Sequence, residues 1–253
     1  MRDDQDQDRE HYSYTHYANR ANARSFDERR FSGPIGEMVA GTQARVLTNM
    51  IGRIKDRHIL DVGTGTGRAA LLFARGGARV TAVDASEEML AIARQRAVAQ
   101  MVEVTFQLGD AHALEFAGRS FDAVVSLRLL MHAPRWHRCV AELCRVADRL
   151  VVVDYPSAYS VALVESLARR VVHAAGLRTE PYRVFTPATI ADAFDRCGFR
   201  VRSVHRQFVL PIAFHKAIGS RRFTIAIERV LDRLGLLKLF GSPVTIVAER
   251  CTP

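Results

Sequence analysis

From residue 58 onward, short apolar runs alternate with stretches whose apolar residues recur every three or four positions. The short runs fit strands at 58–62, 78–83, 102–108, 120–126, 149–156, 198–210 and 242–250. The helical period fits residues 35–54, where Ile35, Met38, Val39, Val46, Leu47, Met50 and Ile54 share a face. It also fits 68–75, 89–98, 136–146 and 158–175, the last stopped by Gly176. Ser86 with Glu87 and Glu88, and Thr186 with Pro187, read as helix starts. Strand and helix in strict alternation argue for parallel strands joined by crossover helices, an α/β fold.

Two stretches break the alternation. Residues 1–10 are acidic and glutamine-rich and predict a disordered tail. Residues 11–32 are aromatic-rich and suit a short helical cap, and Gly33-Pro34 signals a turn. This divides the chain into a tail and cap over 1–34 and a main domain over 35–253. The second break is an insert at about 212–241, ahead of the last strand. There Phe223, Ile227, Val230, Leu231, Leu234 and Leu237 share one helical face, with Arg222, Arg229 and Arg233 off it. Such a helix could cap an apolar substrate, dimerise, lie on a membrane surface or pack on the body.

The 253 residues are 48% hydrophobic, enough for one large α/β domain with additions. No run of 18 apolar residues occurs, and the polar N-terminus is not a secretory signal. Cys139, Cys144, Cys197 and Cys251 form no C-x-x-C pair and read as free thiols, so a cytoplasmic location is expected, with a peripheral membrane contact open through the insert. The net charge is +9, and from Arg200 onward ten basic residues face three acidic ones, which places +7 of it in the last fifth. That concentration could attract nucleic acid, anionic lipid or an acidic substrate, or be a solvated face.

The candidate chemistry centres on Asp61-Val62-Gly63-Thr64-Gly65-Thr66-Gly67-Arg68. Three glycines between a strand and a helix make a ligand turn with free helix N–H groups. The spacing is G-x-G-x-G, not the G-x-G-x-x-G of dinucleotide sites. Asp61 would repel a pyrophosphate and suits a cation. Two further acids, Asp84 and Asp110, stand at the ends of the second and third predicted strands.

With Asp61 in place, the glycine stretch closely resembles motif I of the class I S-adenosylmethionine (SAM)-dependent methyltransferases, and the similarity extends over residues 35–155. The resemblance implies a Rossmann-like, seven-stranded, mostly parallel sheet with helices on both faces and its last strand antiparallel. It implies SAM as cofactor, held by Asp61, Gly63, Thr64, Gly65 and Gly67, by Asp84 and Ala85 at the ribose, and by Asp110 and Ala111 at the adenine. The loop after the fourth strand, Leu127-Arg128-Leu129-Leu130-Met131-His132, resembles that of quinone-pathway methyltransferases. There Arg128 would approach the cofactor and His132 would act as base. Tyr17 and Arg30 from the cap, with Met131, Asp154 and Tyr155, are acceptor-side candidates. Arg128 and Met131 stand where related enzymes carry two glutamates, so no metal is expected.

The implied function is methyl transfer to a small aromatic, quinol-like or lipid-like acceptor, on oxygen or carbon. An RNA-directed methyltransferase using the basic C-terminal region is the alternative, disfavoured because no RNA-binding module or Asn/Asp-Pro-Pro-Tyr motif is present. A non-catalytic SAM-binding regulatory subunit is the third reading. The acceptor and the oligomeric state stay open.

Overall fold

The computed structural model describes residues 30–174 and 182–251. Strands β1 (His58–Val62), β2 (Arg79–Asp84), β3 (Thr105–Leu108), β4 (Phe121–Ser126), β5 (Ala147–Tyr155), β6 (Phe199–Phe208) and β7 (Ser242–Arg250) form one sheet in the order β3-β2-β1-β4-β5-β7-β6. The first five strands run parallel, and β7 lies antiparallel between β5 and β6. Helices α1 (Gly33–Ile51), α2 (Arg68–Arg75), α3 (Glu87–Ala99), α4 (Trp136–Val146), α5 (Ala162–Ala174) and α6 (Pro187–Asp195) accompany the sheet. The seven-stranded, mostly parallel Rossmann-like arrangement expected from the sequence is the one observed.

Alternation along the strands explains the layering. Ile59, Ala123, Val125, Leu150 and Val152 face one core with Leu47 and Ile51 of α1 and Phe73 of α2. Leu60, Val62, Val124, Val151 and Val153 face the other, with Val140 and Leu143 of α4 and Phe194 of α6. Asp122 aligns the edge of this frame. It accepts from His58 N–H at 2.8 Å and from Arg57 at 2.7 Å, tying the start of β4 to the start of β1.

Three local readings differ from the pattern. Gly33-Pro34 opens α1 rather than making a free turn, because proline's fixed φ suits a helix's first positions. The third strand begins at Thr105, since Val102 N–H still reaches Ala97 O at 3.1 Å and closes α3. The insert consists of α7 (Ile212–Ile218), α8 (Arg221–Arg233) and α9 (Leu236–Phe240), so Leu234 and Leu237 do not continue the face of α8. The buried residues of α8 are Thr224 and Glu228, while Phe223, Val230 and Leu234 are exposed. Glu228 turns the polar side inward, where it accepts from Val209 N–H, Leu210 N–H and His215 Nε2. The predicted stop at Gly176, the acidic tail and most of the cap lie outside the described residues.

Among those residues no helix is long and apolar enough to cross a membrane.

Candidate active site

The chain winds in opposite directions from β1, whose neighbours are β2 and β4. Open α/β sheets hold ligands in the crevice beyond the carboxyl ends at such a switch point. Here a cavity of about 470 Å³ fills that crevice, within the range typical of small-molecule sites.

Backbone geometry builds its floor. Gly63, Gly65 and Gly67 all have positive φ, at 70°, 55° and 82°. Gly63 N–H and Thr64 N–H both donate to Val83 O, and Gly67 N–H donates to Thr64 O. A Cβ on Gly63 would meet Leu129 at 3.0 Å, and one on Gly67 would meet Ala93 at 2.9 Å. Gly67 therefore serves close packing of α2 on α3 and does not line the cavity, whereas Gly63, Thr64 and Gly65 do.

Asp61 is buried, and its Oδ2 accepts from Thr64 Oγ1 at 2.6 Å and from Ala70 N–H at 3.1 Å. It thus ties the loop and satisfies an amide in the first turn of α2. Burial pushes its carboxyl up to about 6, against the lowering hydrogen bonds from Thr64 and Ala70. Asp84 Oδ2 accepts from Gly65 N–H at 2.7 Å and Oδ1 from Ser86 N–H at 2.9 Å. Burial raises its pKa as well, while those amides oppose the rise. Asp110 Oδ1 accepts from the His112 amide at 2.9 Å and lies 2.7 Å from His112 Nδ1. Asp61, Asp84, Ala85, Asp110 and Ala111 all line the one cavity. Three adjacent strands thus present three acids to one space, with lone pairs to spare on each carboxylate.

The opposite wall comes from the loop after β4. Arg128 and His132 line the cavity, as does Arg30. Arg128 has φ 60°, uncommon for a residue with a side chain. Its N–H donates to Asp154 Oδ1, which holds the loop at the end of β5. Burial pushes the Asp154 carboxyl up, and Arg128 and Arg30 pull it back. The Arg68 guanidinium lies 3.3 Å from the centroid of the Phe31 ring, closing another side.

Two acceptor-side candidates lie outside the cavity lining. Tyr155 shares the face of Val151 and Val153, is 2% exposed and packs edge-on against Phe185 in the core beside α4 and α6. Met131 packs against that same core, and its carbonyl accepts from Arg183 N–H. Neither reaches the cavity. Tyr17 lies outside the described residues. Sequence reasoning missed His112, whose only signal was its place behind Asp110-Ala111, and the aromatic wall at Phe31.

A cradle of strand-end acids over a glycine turn, on this strand order, defines the class I methyltransferase fold. Residues 59–149, which hold the turn, the three acids and the loop after β4, match the family model of a methyltransferase domain. A demethylmenaquinone methyltransferase of Thermus thermophilus is 40% identical over 105 residues, 40% of this chain and 48% of that protein. An uncharacterized protein of Mycobacterium tuberculosis is 36% identical over 115 residues, 46% of this chain and 42% of that one. The chain thus spans less than half the length of these relatives. The crystal structure of magnesium protoporphyrin IX methyltransferase from Synechocystis with bound S-adenosylhomocysteine (SAH) superposes with a TM-score of 0.59 at 18% identity, covering 86% of this chain and 84% of that one.

Proposed function

We propose that this protein is a SAM-dependent methyltransferase acting on a small-molecule acceptor. The observation that carries the reading is the convergence of Asp61, Asp84 and Asp110 on one cavity above the Gly63–Gly65 turn. SAM brings an ammonium and a sulfonium, which such acids favour electrostatically. The similarity to a demethylmenaquinone methyltransferase supports a quinol-like or aromatic acceptor methylated on oxygen or carbon. Asp84 would hold the ribose hydroxyls and Asp110 with the Ala111 amide the adenine. The sulfonium already activates the methyl group, so the protein's main task is alignment. Proximity and orientation can supply up to roughly 7–11 kcal/mol of the barrier.

Calorimetric titration with SAH, followed by transfer of labelled methyl from SAM to phenolic and quinol acceptors, tests the reading. Absence of SAH binding to folded protein would sink it.

His132, 8% exposed on the cavity wall, is the proposed base for a phenol or enol acceptor. His132→Ala should lower turnover about 100-fold or more, the low end for general-base catalysis, with SAH affinity unchanged. Near-wild-type turnover removes the role.

Asp61 supplies a pH signature. Its folded pKa, about 6, lies above its ordinary 3.8. Ionising it therefore costs apo stability: the penalty is absent below pH 3.8 and complete above about pH 6. A cation bound beside it favours the ionised form, so SAM should expel its proton. Titration with SAM at pH 6, in buffers of different ionisation enthalpy, should show up to about half a proton released. At pH 8 the release should vanish, and Asp61→Asn should abolish it at pH 6.

A further inference from the structure

Beyond β1 to β3 the cavity carries both signs, Asp61, Asp84 and Asp110 with Arg68, Arg75 and Arg96, whereas the charged lining towards β4 and β5 is Arg128 and Arg30 alone. Asp84 and Asp154 end strands three places apart, about 14 Å across the sheet at ~4.8 Å per strand. An adenosine seated at Asp84 and Asp110 leaves the Asp154 side for the acceptor.

The groups on that side are Arg128, Arg30, Lys216, Arg183 and Asp154. Arg128 and Arg30 line the cavity itself, and α7, which carries Lys216, packs on α1. Asp154 feels both arginines, and the Lys216 ammonium is pushed down by burial and by Arg30. Arg183 donates to Ala133 O at 2.9 Å. The buried Asp154 carboxylate thus stands in the field of Arg128 and Arg30, and Lys216 in that of Arg30.

That carboxylate does not occupy the Arg128 fork. Its bond goes to the Arg128 backbone N–H. Among the described residues Arg128 Nε is buried without a hydrogen-bond partner. A buried donor left unmade costs about 1–3 kcal/mol, more for a charged group. The left-handed backbone at Arg128 adds strain of a kind that persists where geometry is functional. A pinned backbone and an open guanidinium fork are what bidentate capture of a carboxylate requires.

We propose that the acceptor carries a carboxylate, bound by Arg128 at the β4–β5 end of the cavity with Arg30 beside it. This rests on the methyl-transfer reading and narrows it: the acceptor is an organic acid, and the same anion explains why Arg128 stands in a loop otherwise lined by Leu127, Leu129 and His132. The cofactor has a carboxylate of its own, so the test must separate the two sources.

The experiment is calorimetry on the full chain, first with SAH and then, on the SAH-saturated protein, with benzoate and with benzamide. Benzoate should bind at least about tenfold more tightly than benzamide, and more weakly as salt rises. Arg128→Gln should cost benzoate about tenfold or more, the worth of a charged hydrogen bond, and leave benzamide and SAH affinity as they were. Arg128→Lys should restore part of the loss. Benzoate and benzamide binding alike, no benzoate binding, or an unchanged benzoate affinity in Arg128→Gln overturns the proposal. So does a loss confined to SAH, which moves Arg128 to the cofactor's carboxylate. If wild-type protein fails to bind SAH, the methyl-transfer reading falls, and the proposal with it.

Discussion

Asp84→Ala should weaken SAH binding by about tenfold or more, since hydrogen bonds to a charged group are worth roughly 1.5–3 kcal/mol each. Two losses combine. The carboxylate accepts from Gly65 N–H and Ser86 N–H, so its removal frees the glycine turn from the end of β2. It also removes the lone pairs that would meet the ribose. A chemical cycle separates the two. Methylthioadenosine and its 2′-deoxy counterpart should differ in affinity for the wild-type protein and bind alike to Asp84→Ala. A difference that survives the substitution places the ribose elsewhere. An unchanged melting temperature in the variant, with SAH affinity lost, would locate the effect in the site and not in the fold.

The cofactor half of this site was legible because its signals are local. Strand, glycine turn and helix follow one another within residues 58–75, and each acid closes a run that alternation marks as a strand. Even so, the sequence did not distinguish what the glycines do. Gly63 and Gly65 shape the cavity floor, whereas Gly67 makes room for Ala93, a residue 26 positions away. Nor did it show that Asp61 spends its hydrogen bonds on Thr64 and Ala70.

The acceptor half depends on parity and on distant partners. β5 is buried on both faces, so its run of Leu, Val and Tyr gives no alternation from which to assign a face. Tyr155 follows Val151 and Val153 into one core, and Asp154, one residue earlier, turns towards Arg128. That pairing links residues 26 apart and cannot be read from either segment alone. The insert misled for a related reason. Its apolar periodicity is real, but three hydrogen-bond donors outside α8 dictate which side is buried.

Those donors set the second large effect. Glu228→Ala should destabilise the protein by about 3–5 kcal/mol, from donors left unmet at up to about 1–3 kcal/mol each. Glu228 is 9% exposed. Its Oε2 accepts from Val209 N–H at 2.8 Å, and its Oε1 accepts from Leu210 N–H at 3.0 Å and from His215 Nε2 at 2.9 Å. His215 is fully buried, and Thr224 Oγ1 lies 3.1 Å from its Nδ1. One carboxylate therefore satisfies the two amides that end β6 and fixes the imidazole that joins α7 to α8. An alanine leaves the buried His215 donor and two half-buried amides unmet, each costing up to about 1–3 kcal/mol before relaxation. Glu228→Gln should recover part of the loss, because its carbonyl can still accept from Leu210 N–H and His215 Nε2 while its amide nitrogen would face the Val209 donor. Asp232→Ala, exposed on the same helix, should stay within about 0.5 kcal/mol of wild type. Urea unfolding read as a midpoint shift at constant slope is the measurement. A loss below about 1 kcal/mol for Glu228→Ala would mean that water reaches those donors in its place. SAH affinity of the folded fraction should not change, because no residue of the insert lines the cavity.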